Sequence, residues 1–174
     1  MEYKYEFPRP AVTVDCVVFS WNGESVSVLL IERANDPFKG SLAFPGGFVD
    51  PHEPLEPAAK RELMEETGLG ADPLKLFGAF GDPGRDPRGH TITIAYYTMV
   101  RDQAKLAKAG SDAKSLSWLP LGHIGNLAFD HEKILAKACR QLMNDLQLSL
   151  YTNTALFGLS TKEKEALLTI LSGT

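Results

Sequence analysis

"PGGFVDPHEPLEPAAKRELMEETGL", residues 45 to 69, opens on a Pro-Gly-Gly turn and then gathers five glutamates between Glu53 and Glu66. Pro57 suits the first helical position and Gly68 the position just past the end, so the spacing predicts a helix over 57 to 67. Within it Glu62, Glu65 and Glu66 stand at i, i+3 and i+4, which confines three carboxylates to an arc of roughly 100°. Like charges at that spacing cost a few tenths of a kcal/mol per pair in water and more where they are partly buried. A divalent cation offsets that cost. Magnesium chooses oxygen ligands, keeps several waters and bridges protein carboxylates to substrate phosphates, so the pattern points to phosphate chemistry. Gly46 and Gly47 allow a backbone turn close to such a site. A glutamate-rich helix face alone is more often a solvated stripe, and only the surrounding spacing decides against that reading.

Around this stretch the chain has 174 residues, 44% hydrophobic and 23% charged, the size and composition of one globular domain. A net charge of -4 gives no sign of a nucleic-acid footprint or a polybasic membrane patch, while leaving nucleotides as ligands. No apolar run approaches the roughly 18 residues of a membrane span. The start "MEYKYEFPRP" lacks a hydrophobic signal core, and the expectation is a soluble, cytoplasmic protein. Cys16 and Cys139 have neither the count nor the spacing of a disulfide framework or zinc site, and read as buried reduced thiols.

The rest alternates strands and helices. "AVTVDCVVF" and "SVSVLLIER" are β-branched runs joined through Asn22-Gly23, which predicts an antiparallel hairpin. "LKLFGAFGD" and "HTITIAYYTMV" read as further strands, the second alternating Ile92, Ile94 and Tyr96 against Thr91, Thr93 and Ala95 as if one face met the core. "SLSWLP" is a short strand ended by Pro120. Asp130 is an N-cap for "HEKILAKACRQLMNDL", which aligns Ile134, Leu135, Ala138, Leu142 and Leu146. Ser160 and Glu163 form a capping box ahead of "ALLTIL".

From Gly47 the chain reads G, five residues, Glu53, seven residues, then R-E-L-M-E-E-T-G-L, which fills every fixed position of the Nudix box. A chance match is on the order of 10⁻⁷ at average residue usage. The sequence therefore resembles the Nudix hydrolases, which cleave nucleoside diphosphates linked to a further group. That resemblance implies an α/β fold, an α/β/α sandwich with a mixed β-sheet and a loop-helix-loop at the box. It also implies magnesium or manganese on Glu62, Glu65 and Glu66, and an Arg61 to Glu53 pair that holds the loop on the helix. Glu53, Arg61, Glu65 and Glu66 are then the catalytic candidates. The base stays open between Glu65 and a loop carboxylate, with Asp86 and Asp112 as candidates.

"FGDPGRDPRGHTITIAYY", with "LLIERANDPFKGSLAFPGGFVD" and "LAFDHEKIL", resembles the ADP-ribose pyrophosphatase branch and the related Nudix-type regulators that sense ADP-ribose, over roughly residues 10 to 148. It implies substrate contacts from Arg33, Gly46, Gly47, Arg85, Asp86 and Arg88, because arginine forks suit bidentate contact with phosphates. The alternative is that residues 85 to 90 form an internal ion-pair network that orders the loop. The chain departs from the common pattern at Leu42, where tryptophan is usual, and at His52, where glycine is usual. His52 is read as an exposed turn residue, His123 as a loop residue, His131 as a helix-start residue and Trp118 as core. Phe38 stands between adenine stacking and plain packing.

Residues 1 to 148 are expected to form the Nudix domain and 149 to 174 a C-terminal helical extension, which docks on it, mediates dimerisation or is a vestige. The expected function is metal-dependent hydrolysis of ADP-ribose to AMP and ribose 5-phosphate by a homodimer. The alternatives are an ADP-ribose sensor and a hydrolase of another dinucleotide or nucleoside polyphosphate. The sensors resemble the chain through "LAFDH" but continue into a winged helix-turn-helix, against 26 residues here after Leu148.

Overall fold

The computed structural model describes residues 4 to 101 and 113 to 173. The hairpin forms as expected: β1 (Ala11–Trp21) pairs antiparallel with β2 (Val26–Arg33), and Asn22 Oδ1 accepts the Glu24 and Ser25 N–H groups at 2.9 Å each. Two short strands follow, β3 (Leu42–Ala43) on β2 and β4 (Gly46–Phe48) on β1. After helix α1 (Leu55–Thr67) come β5 (Lys75–Phe80), β6 (Thr91–Arg101) and β7 (Ala113–Pro120), the last ending at Pro120 and pairing antiparallel with β2. β6 runs parallel to β1 from Ala11↔Thr91 to Trp21↔Arg101, and this pairing makes the sheet mixed. Helices α2 (His131–Thr152) and α3 (Thr161–Ser172) complete the chain.

Both faces of the sheet are covered. Ala58, Ala59 and Leu63 of α1 pack on Val14, Cys16, Val18, Leu29 and Tyr96. On the opposite face α2 and α3 pack on Val17, Phe19, Val28, Leu30 and Tyr97. This is the expected α/β/α sandwich. It also explains why β6 does not present one wet face: Thr91, Thr93 and Ala95 are buried, and Tyr96 on the other side is buried too.

Three terminal readings shift. Helix α1 starts two residues earlier than 57, so Pro57 occupies its third position; the first helical bond runs from the Ala58 N–H to the Pro54 carbonyl, and no partner for a residue-57 N–H is needed there. Gly68 does end it, in the left-handed region at φ 68°. Asp130 sits at the α2 N-cap position but its carboxylate caps nothing, because Arg85 has taken it. α2 also runs past residue 146 to Asn153, a left-handed terminus at φ 52°. The Ser160 and Glu163 capping box is present in both directions. His52 lies on an exposed turn at φ 68°, the region glycine tolerates best, which gives a backbone reason for glycine at this position. Cys16 is a buried free thiol, whereas Cys139 and Trp118 are only partly buried.

Leu156, Leu159, Leu167 and Leu171 lie in the same buried cluster as the α2 leucines. Leu167 is fully buried, and truncating such a leucine costs about 2–5 kcal/mol. We therefore expect Leu167→Ala to lower the urea midpoint of one shared transition. A separate, earlier transition for the C-terminal helix would contradict that coupling.

Candidate active site

The glutamate-bearing helix lies against the glycine turn. β4 is wedged between β1 and α1, with Asp15 opposite Gly46 and Val14 opposite Gly47. A Cβ on Gly46 would stand 2.1 Å from the Val14 carbonyl oxygen, and one on Gly47 would stand 2.6 Å from the Glu62 carboxylate. At Gly46 the neighbour is backbone and excludes any larger residue, whereas at Gly47 it is the end of a side chain that would have to move off the turn. The Gly46 N–H donates to Glu66 Oε2 at 2.8 Å. Glu66 is thus buried at 9% exposure, where its position on a charged helix face suggested solvent.

Arg61 organises the rest of this face. Its Nε and Nη2 donate to the two oxygens of Glu53 at 2.8 Å each, its Nη1 to Glu62 at 2.8 Å and Glu65 at 3.1 Å, and its Nη2 also to the Phe48 carbonyl at 3.2 Å. The guanidinium hydrogen bonds, with the Asp50 N–H, bring Glu53 down to a pKa of about 2. Burial pushes the Glu62 carboxyl the other way, above the usual range, against the pull of Arg61. Burial thus works against the charged form of Glu62, the form that a nearby cation favours.

Among the described residues no group of three His, Cys, Asp or Glu side chains is already gathered closely enough to hold a metal ion. The donor set still fits magnesium or manganese. Such ions keep several waters and need one or two carboxylates, and Glu65, 58% exposed, shares one helical arc with Glu62 and Glu66.

A cleft of about 140 Å³ opens beside this face, lined by Gly46 and Gly47 together with Arg33, Arg85, Asp86 and Arg88. All six substrate candidates are brought together, but they are not equivalent. Arg85 is buried and forked onto Asp130 at 2.7 to 3.1 Å, so it ties the loop to the start of α2. Asp86 accepts from the Arg88 backbone N–H at 2.9 Å and from its Nε and Nη2 at 3.0 and 2.7 Å. Burial works to raise the Asp86 pKa and is outweighed by these bonds, which lower it. The ion-pair network is thus present in the loop. Asp112 lies outside the described residues.

Arg33 and Arg88 hold the cationic side of the cleft. Both guanidinium groups stand over the Phe129 ring, at 4.7 and 5.7 Å from its centroid, and Arg88 also covers Phe48 at 5.1 Å. Burial, and then repulsion by Arg88, lowers the Arg33 pKa, and an anion between them reverses that strain. Phe38 meets Phe129 edge-on at 4.8 Å, and both are held at positive φ, 63° and 55°. Such backbone outliers cluster at ligand sites.

The sequence reading missed the floor of the cleft. Asp15, from the middle of an apolar strand, is 8% exposed and accepts from Thr93 Oγ1 at 2.6 Å. His131 is buried as well as being the first residue of α2, and its Nδ1 accepts the Phe44 N–H at 3.0 Å. Burial holds its pKa below the usual histidine value, although Asp15 pulls it upward. The one signal available was a charge inside "VTVDCVVF", where an aspartate needs a reason to be buried.

Residues 9–139 match the model of the NUDIX domain. An ADP-ribose pyrophosphatase of Methanocaldococcus jannaschii is 46% identical over 127 residues, covering 73% of this chain and 72% of that protein. The ADPR responsive transcriptional repressor NtrR of Acinetobacter baylyi is 35% identical over 81% of this chain, which spans only 58% of that repressor. Among solved structures, the NUDIX domain of Shewanella oneidensis NrtR complexed with ADP ribose matches with a TM-score of 0.73 and 31% identity, over 78% of this chain and 90% of that one.

Proposed function

The chain belongs to the Nudix family and is a Nudix pyrophosphohydrolase, and we propose that its reaction is the metal-dependent hydrolysis of ADP-ribose to AMP and ribose 5-phosphate. One observation carries the reading. Gly46 lines the cationic cleft and also donates its N–H to Glu66, so the anion-binding arginines and the carboxylate face meet at a single residue. The similarity to the Methanocaldococcus jannaschii ADP-ribose pyrophosphatase points to the same substrate.

In this reading Arg33 and Arg88 hold the pyrophosphate and its flanking oxygens, as planar forks suited to phosphate. Glu62, Glu65 and Glu66 would hold a divalent cation, magnesium or manganese, which when bound neutralises phosphate charge and acidifies water. A water oxygen bonds to one phosphorus, the bridging P–O bond breaks, and its electron pair leaves with the departing phosphate. The proton of that water goes to Glu65. Asp86 is less suited to take it, since Arg88 binds both its oxygens and its pKa is lowered. Arg61 and Glu53 position the helix and do not touch the reacting atoms. A homodimer is the assembly that the family resemblance implies.

Purified protein with ADP-ribose is expected to release AMP with magnesium and none after chelation, in preference to ADP-glucose, a dinucleoside polyphosphate or an NAD-capped RNA. Preference for one of the others would replace the substrate. The similarity to the repressor supports a second reading, a sensor that binds ADP-ribose without cleaving it. Tight binding with no AMP release would favour it.

A further inference from the structure

The floor of the cleft contains a donor and an acceptor that face each other without meeting. His131 Nδ1 is occupied by the Phe44 N–H at 3.0 Å, so in the neutral ring the hydrogen sits on Nε2. Burial lowers the pKa of this ring and so favours its neutral form. Nε2 stands 3.6 Å from Asp15 Oδ1, beyond hydrogen-bond reach, while the other carboxylate oxygen is already bonded to Thr93. Both side chains line the cleft, and both residues are more than nine-tenths buried. The ring is fixed in place by a near-parallel stack on Phe44, 5.0 Å between centroids and 15° between planes.

A group that completes this pair must accept from Nε2–H and donate to a carboxylate. A hydroxyl does both. A phosphate oxygen is repelled by Asp15, an ammonium cannot accept, and a carbonyl cannot donate. The arginines at the cleft wall take phosphate, so the floor takes the uncharged end of the same ligand. We propose that Asp15 and His131 form a sugar-hydroxyl subsite, which selects ligands with a hydroxylated sugar phosphate over bare phosphates. This rests on the reading that the cleft takes ADP-ribose, and it names the groups that recognise its ribose end.

The first measurement is the proton NMR signal of the His131 Nε2–H, assigned by its loss in His131→Asn, a variant that retains a short acceptor for the Phe44 N–H. Ribose 5-phosphate is expected to shift that signal and inorganic phosphate to leave it in place. Asp15→Asn keeps an oxygen for Thr93 but removes the charge; it is expected to weaken ribose 5-phosphate binding about tenfold, the worth of one charge-assisted hydrogen bond, with phosphate binding unchanged. With ADP-ribose the same variant should raise KM about tenfold and hold kcat within about twofold, the mark of a lost ground-state contact. A signal unmoved by saturating ribose 5-phosphate, or an equal loss of affinity for both probes, overturns the proposal and leaves the pair as packing. Absence of AMP release by the parent protein would remove the hydrolase reading, while the contrast between the two probes would still decide this one.

Discussion

Glu66→Gln is expected to lower magnesium-dependent turnover of ADP-ribose by about 10³-fold or more while the protein stays folded. The size follows from charge. A bound divalent ion supplies several kcal/mol of transition-state stabilisation, and each ~1.4 kcal/mol is tenfold in rate. The retained fold follows from geometry. Glu66 Oε2 accepts the Gly46 N–H at 2.8 Å, and glutamine offers a carbonyl oxygen at the same reach, so the buried donor stays satisfied. Glu66→Ala would mix two effects, because it leaves that N–H without its acceptor and opens space beside β4. A thermal melt separates the cases: Glu66→Gln should unfold near the parent midpoint and gain less from added magnesium, since a ligand stabilises only the state that binds it. Turnover at the parent rate with magnesium saturating would refute the metal assignment.

The elements that set this site were legible to different depths. The box glutamates could be placed on one arc because a helix converts i, i+3 and i+4 into direction without any tertiary information. The hairpin was legible through Asn22-Gly23, and the capping box through Ser160 and Glu163, since both are local. What the sequence hid depends on the β1 to β6 pairing. Asp15 reaches Thr93 only because Thr13 lies opposite Thr93 and Asp15 opposite Ala95 in a parallel register, and no local pattern fixes a register between strands so far apart in the chain. Asp130 misled for a related reason. Its position before an amphipathic helix is that of a cap, and a buried guanidinium from a distant loop competed for its carboxylate more strongly than the helix N–H groups. The segment at 85 to 90 invited a choice between ligand site and ion-pair network, and its residues divide: Arg85 is committed to Asp130, whereas Arg88 pairs with Asp86 and also stands over two rings in the cleft.

Arg61→Ala is expected to reduce kcat/KM for ADP-ribose by about 10²-fold, and Arg61→Lys to recover little of it. The guanidinium joins Glu53, Glu62 and Glu65 to the Phe48 carbonyl that ends β4. Without it three carboxylates lose their shared cation, and the turn keeps the Gly46 N–H bond to Glu66 but loses the tie from Phe48 to α1. A lysine supplies one point charge where a planar fork is needed. The pH dependence separates this structural role from a direct one. Glu53 has its pKa depressed by Arg61, so its contribution to stability is fully present above its ordinary value of 4.5 and is lost as pH falls through about 2. In the alanine variant that depression goes, and Glu53 protonates nearer its ordinary value. Acid unfolding followed by circular dichroism should therefore keep the clamp in the parent between those two pH values and show it already absent in the variant. Superimposable acid limbs, together with the activity loss, would mean that Arg61 acts on the substrate directly and not through the loop it holds.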